Sequence, residues 1–158
     1  MQDMNVDSLD IEILKLLSND GTLSLRKIAE ELTKSPVTIK KHIDNLEEEG
    51  IIRNYSVSID YEKLGYEIVA IIELTISKGK MLEVERDISH QPNIFGVYDI
   101  TGTYDALIIA KFKTKEELSQ LVKKINGYEY VVRTNTHLVL NIIKEDTSFK
   151  NLILLEEK

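Results

Sequence analysis

Apolar residues in the first fifty positions recur at the three- and four-residue spacing of amphipathic helices. The spacing predicts three helices, over residues 7–19, 24–34 and 35–50. Ser35 and Pro36 signal the start of the third, because serine accepts hydrogen bonds from free amides and proline at the first helical position loses none. Three short helices with a tight turn between the last two form a helix-turn-helix. The inward residues are Leu9, Ile13, Leu16 and Leu17, then Leu25, Ile28, Ala29 and Leu32, then Ile39, Ile43 and Leu46.

The third helix is predicted to be polar on the face opposite its apolar stripe. Short donors, cations and amides are the side chains that contact base edges and phosphates in a major groove. An ordinary amphipathic helix with a solvated polar face fits the same pattern. The side chains predicted to project from this face are Thr38, Lys41, His42 and Asn45.

Beyond residue 50 the pattern changes to the alternation typical of strands. Residues 51–60 predict a strand that leaves the first domain, and residues 63–66 predict a turn. We therefore expect a helix-turn-helix domain over 1–53, a linker over 54–66 and a second domain over 67–158.

The second domain is predicted to have the order βαββαβ. Strands are expected over 68–77, 94–101, 104–113 and 131–144. One predicted helix carries Met81, Val84 and Ile88, and the other carries Leu118, Leu121, Val122 and Ile125. This order is that of a ferredoxin-like fold, one antiparallel sheet with both helices on one face, so the fold class is α+β.

Both faces of this predicted sheet carry apolar residues. One helical layer covers one face, so the other would be polar in a monomer. An apolar second face instead predicts a partner, most simply another copy of the chain, and at least a dimer. The residues predicted on the second face are Val69, Ile71, Leu107 and Ile109.

The net charge of −7 argues against a nucleic-acid protein, because duplex binding depends on cations that neutralise phosphates. Residues 1–53 hold seven basic and eleven acidic residues. Five of the seven cations nevertheless lie between positions 26 and 41, so the basic patch is local. The candidate DNA-binding residues are Arg26, Lys27, Lys34, Ser35, Thr38, Lys40, Lys41, His42 and Asn45.

Other function classes find little support. The chain has no cysteine, which excludes disulfides and thiolate chemistry, and its three histidines have no second ligand at metal-binding spacing, so we expect no metal and no cofactor. No apolar run is long enough to span a membrane, and a cytoplasmic protein is expected. Two alternatives stay open: a small ligand-processing enzyme that uses Asp99, Asp105 and His137, and a protein-interaction adaptor suggested by the acidic charge.

Several short motifs stand in a fixed order along the chain. They are Leu9-Asp10-Ile11-Glu12-Ile13-Leu14, Ser35-Pro36, Leu46-Glu47-Glu48-Glu49-Gly50-Ile51-Ile52, Gly96-Val97-Tyr98 and Gly102-Thr103-Tyr104-Asp105. Together these motifs resemble the Lrp/AsnC family of leucine- and asparagine-responsive regulators, over nearly the whole chain. The resemblance implies a transcription regulator that binds double-stranded DNA, forms dimers through its C-terminal domains and often octamers, and binds amino acids between dimers.

The same resemblance implies an effector site. Carried over by position, it involves Gly102, Tyr104 and Asp105 of the loop with Thr134 and Thr136 of the last strand. An α-amino group needs a carboxylate or carbonyl partner, and an α-carboxylate needs hydroxyls or free amides. A simple hairpin turn, with Asp105 bonded to its own backbone, is the alternative.

One departure from the family pattern concerns DNA. His42 stands where the family commonly has arginine, and Asn45 stands where another basic residue is frequent. Fewer fixed charges predict weaker phosphate contact or a different base preference. The apolar stretch 151–155, within the C-terminal segment 146–158, fits either an extra strand or an interface.

Overall fold

The computed structural model describes residues 6–77 and 79–145. The described residues belong to two compact units, one that takes in 6–58 with 144–145 and the other within 59–143. The second unit thus begins upstream of residue 67, where the sequence pattern changed. The predicted segment 151–155 lies outside the described residues. Within the described part of the chain, no helix has the length and apolarity needed to cross a membrane.

The first unit contains the three predicted helices. They are α1 (Ser8–Asn19), α2 (Leu25–Glu31) and α3 (Pro36–Glu48). Asp7, Ser24 and Ser35 are the N-caps, and each accepts a hydrogen bond from a backbone amide of the first turn. The apolar faces meet in one core whose fully buried members are Ile13, Ile28 and Ile39. The helix-turn-helix prediction is therefore confirmed.

The predicted strand over 51–60 is wrong. No residue of this segment is in a strand, and Tyr55, Val57 and Ile59 are 51%, 75% and 44% exposed. A strand needs a hydrogen-bonded neighbour, and none of the four strands of the sheet pairs with this segment. The alternating pattern is present, but one chain alone supplies no strand beside it.

The second unit has the predicted order βαββαβ. Its elements are β1 (Ile68–Ile76), α4 (Met81–Ser89), β2 (Ile94–Asp99), β3 (Ala106–Phe112), α5 (Lys115–Asn126) and β4 (Val131–Leu138). A single 3₁₀ turn, Glu62–Leu64, precedes them and ends at Gly65 with a positive φ. All pairings are antiparallel, in the order β2-β3-β1-β4. The strand β4 ends well before residue 144, because its last paired residue, Leu138, already lies opposite Ala70 near the start of β1.

One face of the sheet is closed by the two helices. Ile72, Ile108 and Phe112 on the sheet pack with Ile88 of α4 and Ile125 of α5, and all five are fully buried. On the opposite face Val69, Ile71, Leu107 and Ile109 are only half-buried. The sheet thus has two apolar faces, as the alternation predicted.

A buried lysine lies on that opposite face. Lys111 of β3 is 5% exposed, and its Nζ lies 4.8 Å from the ring centroid of Tyr61 and 5.2 Å from that of Phe95. The two rings meet edge to face at 4.8 Å. Cation–π contacts of this kind strengthen when water is excluded. They fasten the segment around Tyr61 to the sheet.

Candidate DNA interface and effector site

The N-terminal half of α3 is held in a defined orientation by its cap and its core face. The Oγ of Ser35 accepts from the amide of Thr38 at 3.0 Å, and the hydroxyls of the two residues lie 2.9 Å apart. Ile39 and Ile43 are buried one and two turns into the helix. The side chains on the other side of α3, from Val37 to Asn45, therefore face solvent.

The turn that leads into α3 contains a strained residue. Thr33 has a φ of 54°, a left-handed conformation that a β-branched side chain rarely adopts. The amide of Lys34 donates to the carbonyl of Ala29 at 2.9 Å, which closes the turn after α2. The strain is the cost of turning the chain sharply between α2 and α3.

The basic residues of the local patch differ in whether an acidic side chain lies beside them. Lys40 is bonded to Asp44 at 2.6 Å, and Arg26 and Lys27 each lie within 4 Å of a glutamate one turn along α2. Hydrogen bonding to Asp44 and its charge raise the pKa of Lys40. In the described residues Lys34 and Lys41 are exposed and have no acidic partner. They are the cations most available to a phosphate.

His42 is not placed as the sequence pattern predicted. Its Nδ1 lies 2.7 Å from Oδ1 of Asp10, a residue of α1 that is 7% exposed. Asp10 also accepts from the amide of Asp7, and Asp7 accepts from the amide of Asp10, so the two form a capping box. His42 therefore turns toward α1 instead of projecting beside Lys41. No local sequence signal indicates this pair, because the partners are 32 positions apart.

The same three side chains have the composition of a metal site. One ligand atom from each of Asp7, Asp10 and His42 lies within 4.8 Å of the others. Spacing along the chain could not reveal this group. Its atoms are already hydrogen-bonded to one another and to the helix cap, which accounts for the arrangement without an ion.

Val37 also lies on the outward face of α3, but a pattern of polar residues does not indicate it because it is apolar. Its side chain is 80% exposed in the first turn of α3. The signal is available in the helical spacing. Val37 stands four residues before Lys41 and two before the buried Ile39, which places it on the outward side.

In the second unit, the predicted effector loop lies beside the end of β1. Asp105 Oδ2 accepts from the amide of Ile76 at 2.8 Å, and the Asp105 amide donates to the carbonyl of Leu74 at 2.8 Å. The first bond satisfies the amide beside the irregularity in the β1–β4 pairing. The alternative, a hairpin turn in which Asp105 bonds its own loop, is seen only in a backbone hydrogen bond, in which the Asp105 carbonyl accepts from the amide of Ile100.

The predicted effector residues of β4 lie opposite the second half of β1. Thr134 is paired with Leu74, and Thr136 is paired with Ile72 two residues nearer the middle of β1. The guanidinium of Arg133 lies 5.0 Å from the ring centroid of Tyr104. The Thr134 hydroxyl is bonded to Asn126 at 3.1 Å. Thr134 and Thr136 thus lie on the helix side of the sheet, whereas Tyr104 contacts Arg133, which pairs with Thr75 on the opposite face, so these predicted effector side chains do not share one face.

An uncompensated carboxylate lies on the helix side of the sheet. Glu85 follows Val84 on α4, and its Oε1 is the one fully buried side-chain oxygen or nitrogen without a partner among the described residues. Burial, and then the charge of Asp99, raise its pKa. Asp99 pairs with the buried Ala106, so it lies on this same side.

The residues of the enzymatic alternative are divided between faces. Asp99 lies on the helix side, whereas His137 pairs with Ile71 on the opposite face and is bonded to Glu73 at 2.9 Å. The hydrogen bonds from His137 and Asn135 lower the pKa of Glu73. No nucleophile and base are brought together by these residues.

Comparison with known proteins places both halves of the chain. Residues 69–149 match the model of the Lrp/AsnC ligand binding domain, and residues 6–53 match that of a winged helix-turn-helix DNA-binding domain. An HTH-type transcriptional regulator of Pyrococcus furiosus is 43% identical over 90% of this chain and 97% of its own length. The transcriptional regulator FL11 of Pyrococcus horikoshii is 36% identical over 90% of this chain and 94% of its own.

A solved structure agrees with these matches. The transcriptional regulator of Neisseria meningitidis, crystallised as an L-Met complex, superposes with a TM-score of 0.84 at 26% identity, covering 94% of this chain and 98% of the other. These relatives are regulators and not enzymes. Two domain matches in order and close relatives along most of the length agree, and the chain belongs to the Lrp/AsnC family of DNA-binding transcription regulators.

Proposed function

We propose that the chain regulates transcription as a homodimer that inserts the N-terminal half of α3 into the major groove and responds to an amino acid bound near the hairpin loop. In this proposal residues 1–53 contact DNA, 54–66 link, and 67–158 assemble the protein and bind the effector. The observation that carries it is the exposed start of α3, a capped helix with Lys34 and Lys41 free of acidic partners among the described residues.

The DNA contacts divide by chemistry. Lys34 and Lys41 bind phosphates, while Lys40, Arg26 and Lys27 contribute less because each must first leave a carboxylate. Thr38 and Asn45 carry donors and acceptors that suit base edges, and Ser35 orients the start of the helix. His42 positions α3 through Asp10.

Self-association is supported by two surfaces. The half-buried face of Val69, Ile71, Leu107 and Ile109 would be covered by the same face of a second copy. The exposed side chains of Tyr55 and Val57 offer a second apolar surface for such a contact. Dimers joined in this way could assemble further into octamers.

The effector region offers both halves of amino-acid recognition. Among the described residues Oδ1 of Asp105 has no hydrogen-bond partner, so it is available to an α-amino group. The backbone amides of the loop at Gly102 and Tyr104 suit an α-carboxylate, and the hydroxyls of Thr134 and Thr136 offer further polar contacts on the helix side of the sheet. The amino-acid complex of the Neisseria regulator supports this class of ligand.

A salt-titrated duplex-binding assay tests the DNA part. Lys41→Ala should lower the affinity for the duplex. It should also make the plot of log K against log salt less steep, by about 0.9 for each phosphate that is no longer neutralised. Lys123→Ala, an exposed lysine of the other unit, is the matched control and should change neither. Salt-independent binding, or equal effects of the two variants, would favour the adaptor function.

The effector part is tested with Asp105→Asn. The single oxygen of asparagine can still accept from the amide of Ile76, but an NH2 donor then stands in place of Oδ1 and cannot accept a hydrogen bond from an ammonium group. The variant should therefore keep its fold and its DNA affinity but lose the response to a mixture of amino acids. A response of wild-type size in the folded variant would remove Asp105 from the effector site.

A further inference from the structure

Val37 occupies the outermost position at the start of α3. Its side chain is 80% exposed, whereas the aliphatic side chains of Ile39, Ile43 and Leu46 in the same helix are buried. It sits at the second helical position, directly after Pro36. Within α3, all of which the structure describes, it is the one exposed branched aliphatic side chain.

The neighbours of Val37 are groups proposed to contact DNA. Lys41 lies one turn along on the same side, at the i, i+4 spacing that brings Cβ atoms within about 6 Å. Thr38 follows it, but this hydroxyl is already held by Ser35. When Lys41 contacts a phosphate, Val37 is therefore directed toward the bases beside that phosphate.

An aliphatic side chain can recognise one feature of the major groove. Three of the four bases present only polar atoms there, whereas thymine adds its C5-methyl group. Valine has no donor or acceptor, so it cannot bond to guanine, cytosine or adenine. Its rigid pair of methyl groups loses little conformational entropy when it is placed against that methyl.

Exposed single valines are common on protein surfaces, and exposure alone would carry no argument. The position of Val37 is what distinguishes it. A polar residue would be equally stable at an exposed first-turn position, since valine is a weaker helix former than many polar residues. The apolar side chain stands at the end of the helix that enters the groove, between Lys34 and Lys41.

We propose that Val37 is a specificity-determining residue that recognises a thymine C5-methyl group in each half-site of the operator. The proposal rests on the DNA contact made by α3 and adds the base that this helix selects. Lys41 supplies sequence-independent attraction, and Val37 supplies discrimination at one base pair.

The experiment removes the methyl group from the DNA and from the protein separately. Duplexes are first selected from a random library by the full-length protein, and each thymine is then replaced in turn by deoxyuridine, which lacks only the methyl. Replacement of the contacted thymine in one half-site should weaken wild-type binding about fourfold, the contribution of one buried methyl-sized group. Val37→Ala should bind the thymine and deoxyuridine duplexes equally, because the alanine side chain is too short to touch the thymine methyl.

Val132→Ala is the matched control. It makes the same substitution at a 66% exposed valine of the other unit and should retain the fourfold preference for thymine. The proposal is overturned if no thymine is sensitive, if Val37→Ala keeps the preference, or if Val132→Ala abolishes it. Failure to select any duplex would overturn the DNA-binding function as well, and this result differs from selection without thymine sensitivity.

Discussion

Asp10 and His42 join two helices through a hydrogen bond of 2.7 Å, although α1 and α3 contribute one residue each and the chain between them is long. Asp10 also closes the capping box with Asp7 at the start of α1. One buried carboxylate therefore fixes the beginning of one helix and the orientation of another. The orientation of α3 therefore depends on a buried residue of another helix.

Replacement of Asp10 by alanine should destabilise the first unit. Both the capping box and the bond to His42 would be removed, at a cost of about 2 kcal/mol in the free energy of unfolding. His42→Ala should cost less than Asp10→Ala, and His90→Ala, a change at an exposed histidine, should cost almost nothing. Urea denaturation followed by circular dichroism measures all three. Equal stabilities would show that the pair contributes nothing.

Thr33→Asn should stabilise the protein. Asparagine tolerates the left-handed conformation that Thr33 adopts at a φ of 54°, and relief of this strain is expected to add about 1 kcal/mol. The residue is exposed, so its packing does not change. The melting temperature should rise, and Thr22→Asn at the earlier loop provides a comparison without positive φ. A fall in melting temperature for Thr33→Asn would mean that the threonine side chain makes a contribution greater than its strain.

Asp105→Ala should lower the free energy of unfolding more than Asp105→Asn does. Alanine leaves the amide of Ile76 without its acceptor, which costs about 1–3 kcal/mol in a half-buried site, whereas asparagine can replace it. Chemical denaturation should therefore rank wild type and Asp105→Asn above Asp105→Ala. Hydrogen exchange at the Ile76 amide gives a local readout, and slow exchange in Asp105→Ala would contradict the acceptor role.

Glu85→Leu should stabilise the protein at neutral pH. Burial and the charge of Asp99 raise the pKa of Glu85 in the folded state above its ordinary 4.5. The folded protein then holds this proton more tightly, so stability falls as pH rises from about 4.5 through the raised pKa and stays lower above it. Removal of the unpaired buried oxygen should add about 1 kcal/mol at pH 7.

The effect of charge at Glu85 is checked by repeating the stability measurement in acid. At about pH 4 the wild-type carboxyl is mostly protonated in both states, so the gain from Glu85→Leu should be smaller than at pH 7. Glu116→Leu, at an exposed glutamate of α5 that has no ion pair among the described residues, should show no such difference. A gain in acid that equals the gain at neutral pH would rule out an effect of charge.

Local signals predicted most of the fold. Ser24 and Ser35 marked helix starts, and the stripes through Ile28 and Ile125 identified the buried faces, because caps and amphipathic periods are properties of adjacent residues. The segment 51–60 failed for the opposite reason. Its alternation favours a strand, but whether a strand forms depends on a neighbour that no local pattern specifies.

The candidate site was less predictable. The cations around Lys41 were predicted from residue type and position, and the loop at Asp105 from the family resemblance, and both stay predictions. The direction of His42 and the acceptor role of Asp105 toward Ile76 could not be found, since each depends on a partner far away in sequence. The prediction defined the outward face of α3 by its polar residues and therefore left out Val37, although helical spacing places Val37 on that face.

The aromatic cover over Lys111 sets a limit on how the chain can be divided. Tyr61 precedes β1, so a fragment that begins at residue 67 would leave one side of this buried ammonium group open to water. A fragment that begins at Ile59 retains both rings. The shortest stable C-terminal fragment therefore has to include Tyr61 together with Lys111. A protease-resistant core should start upstream of Tyr61.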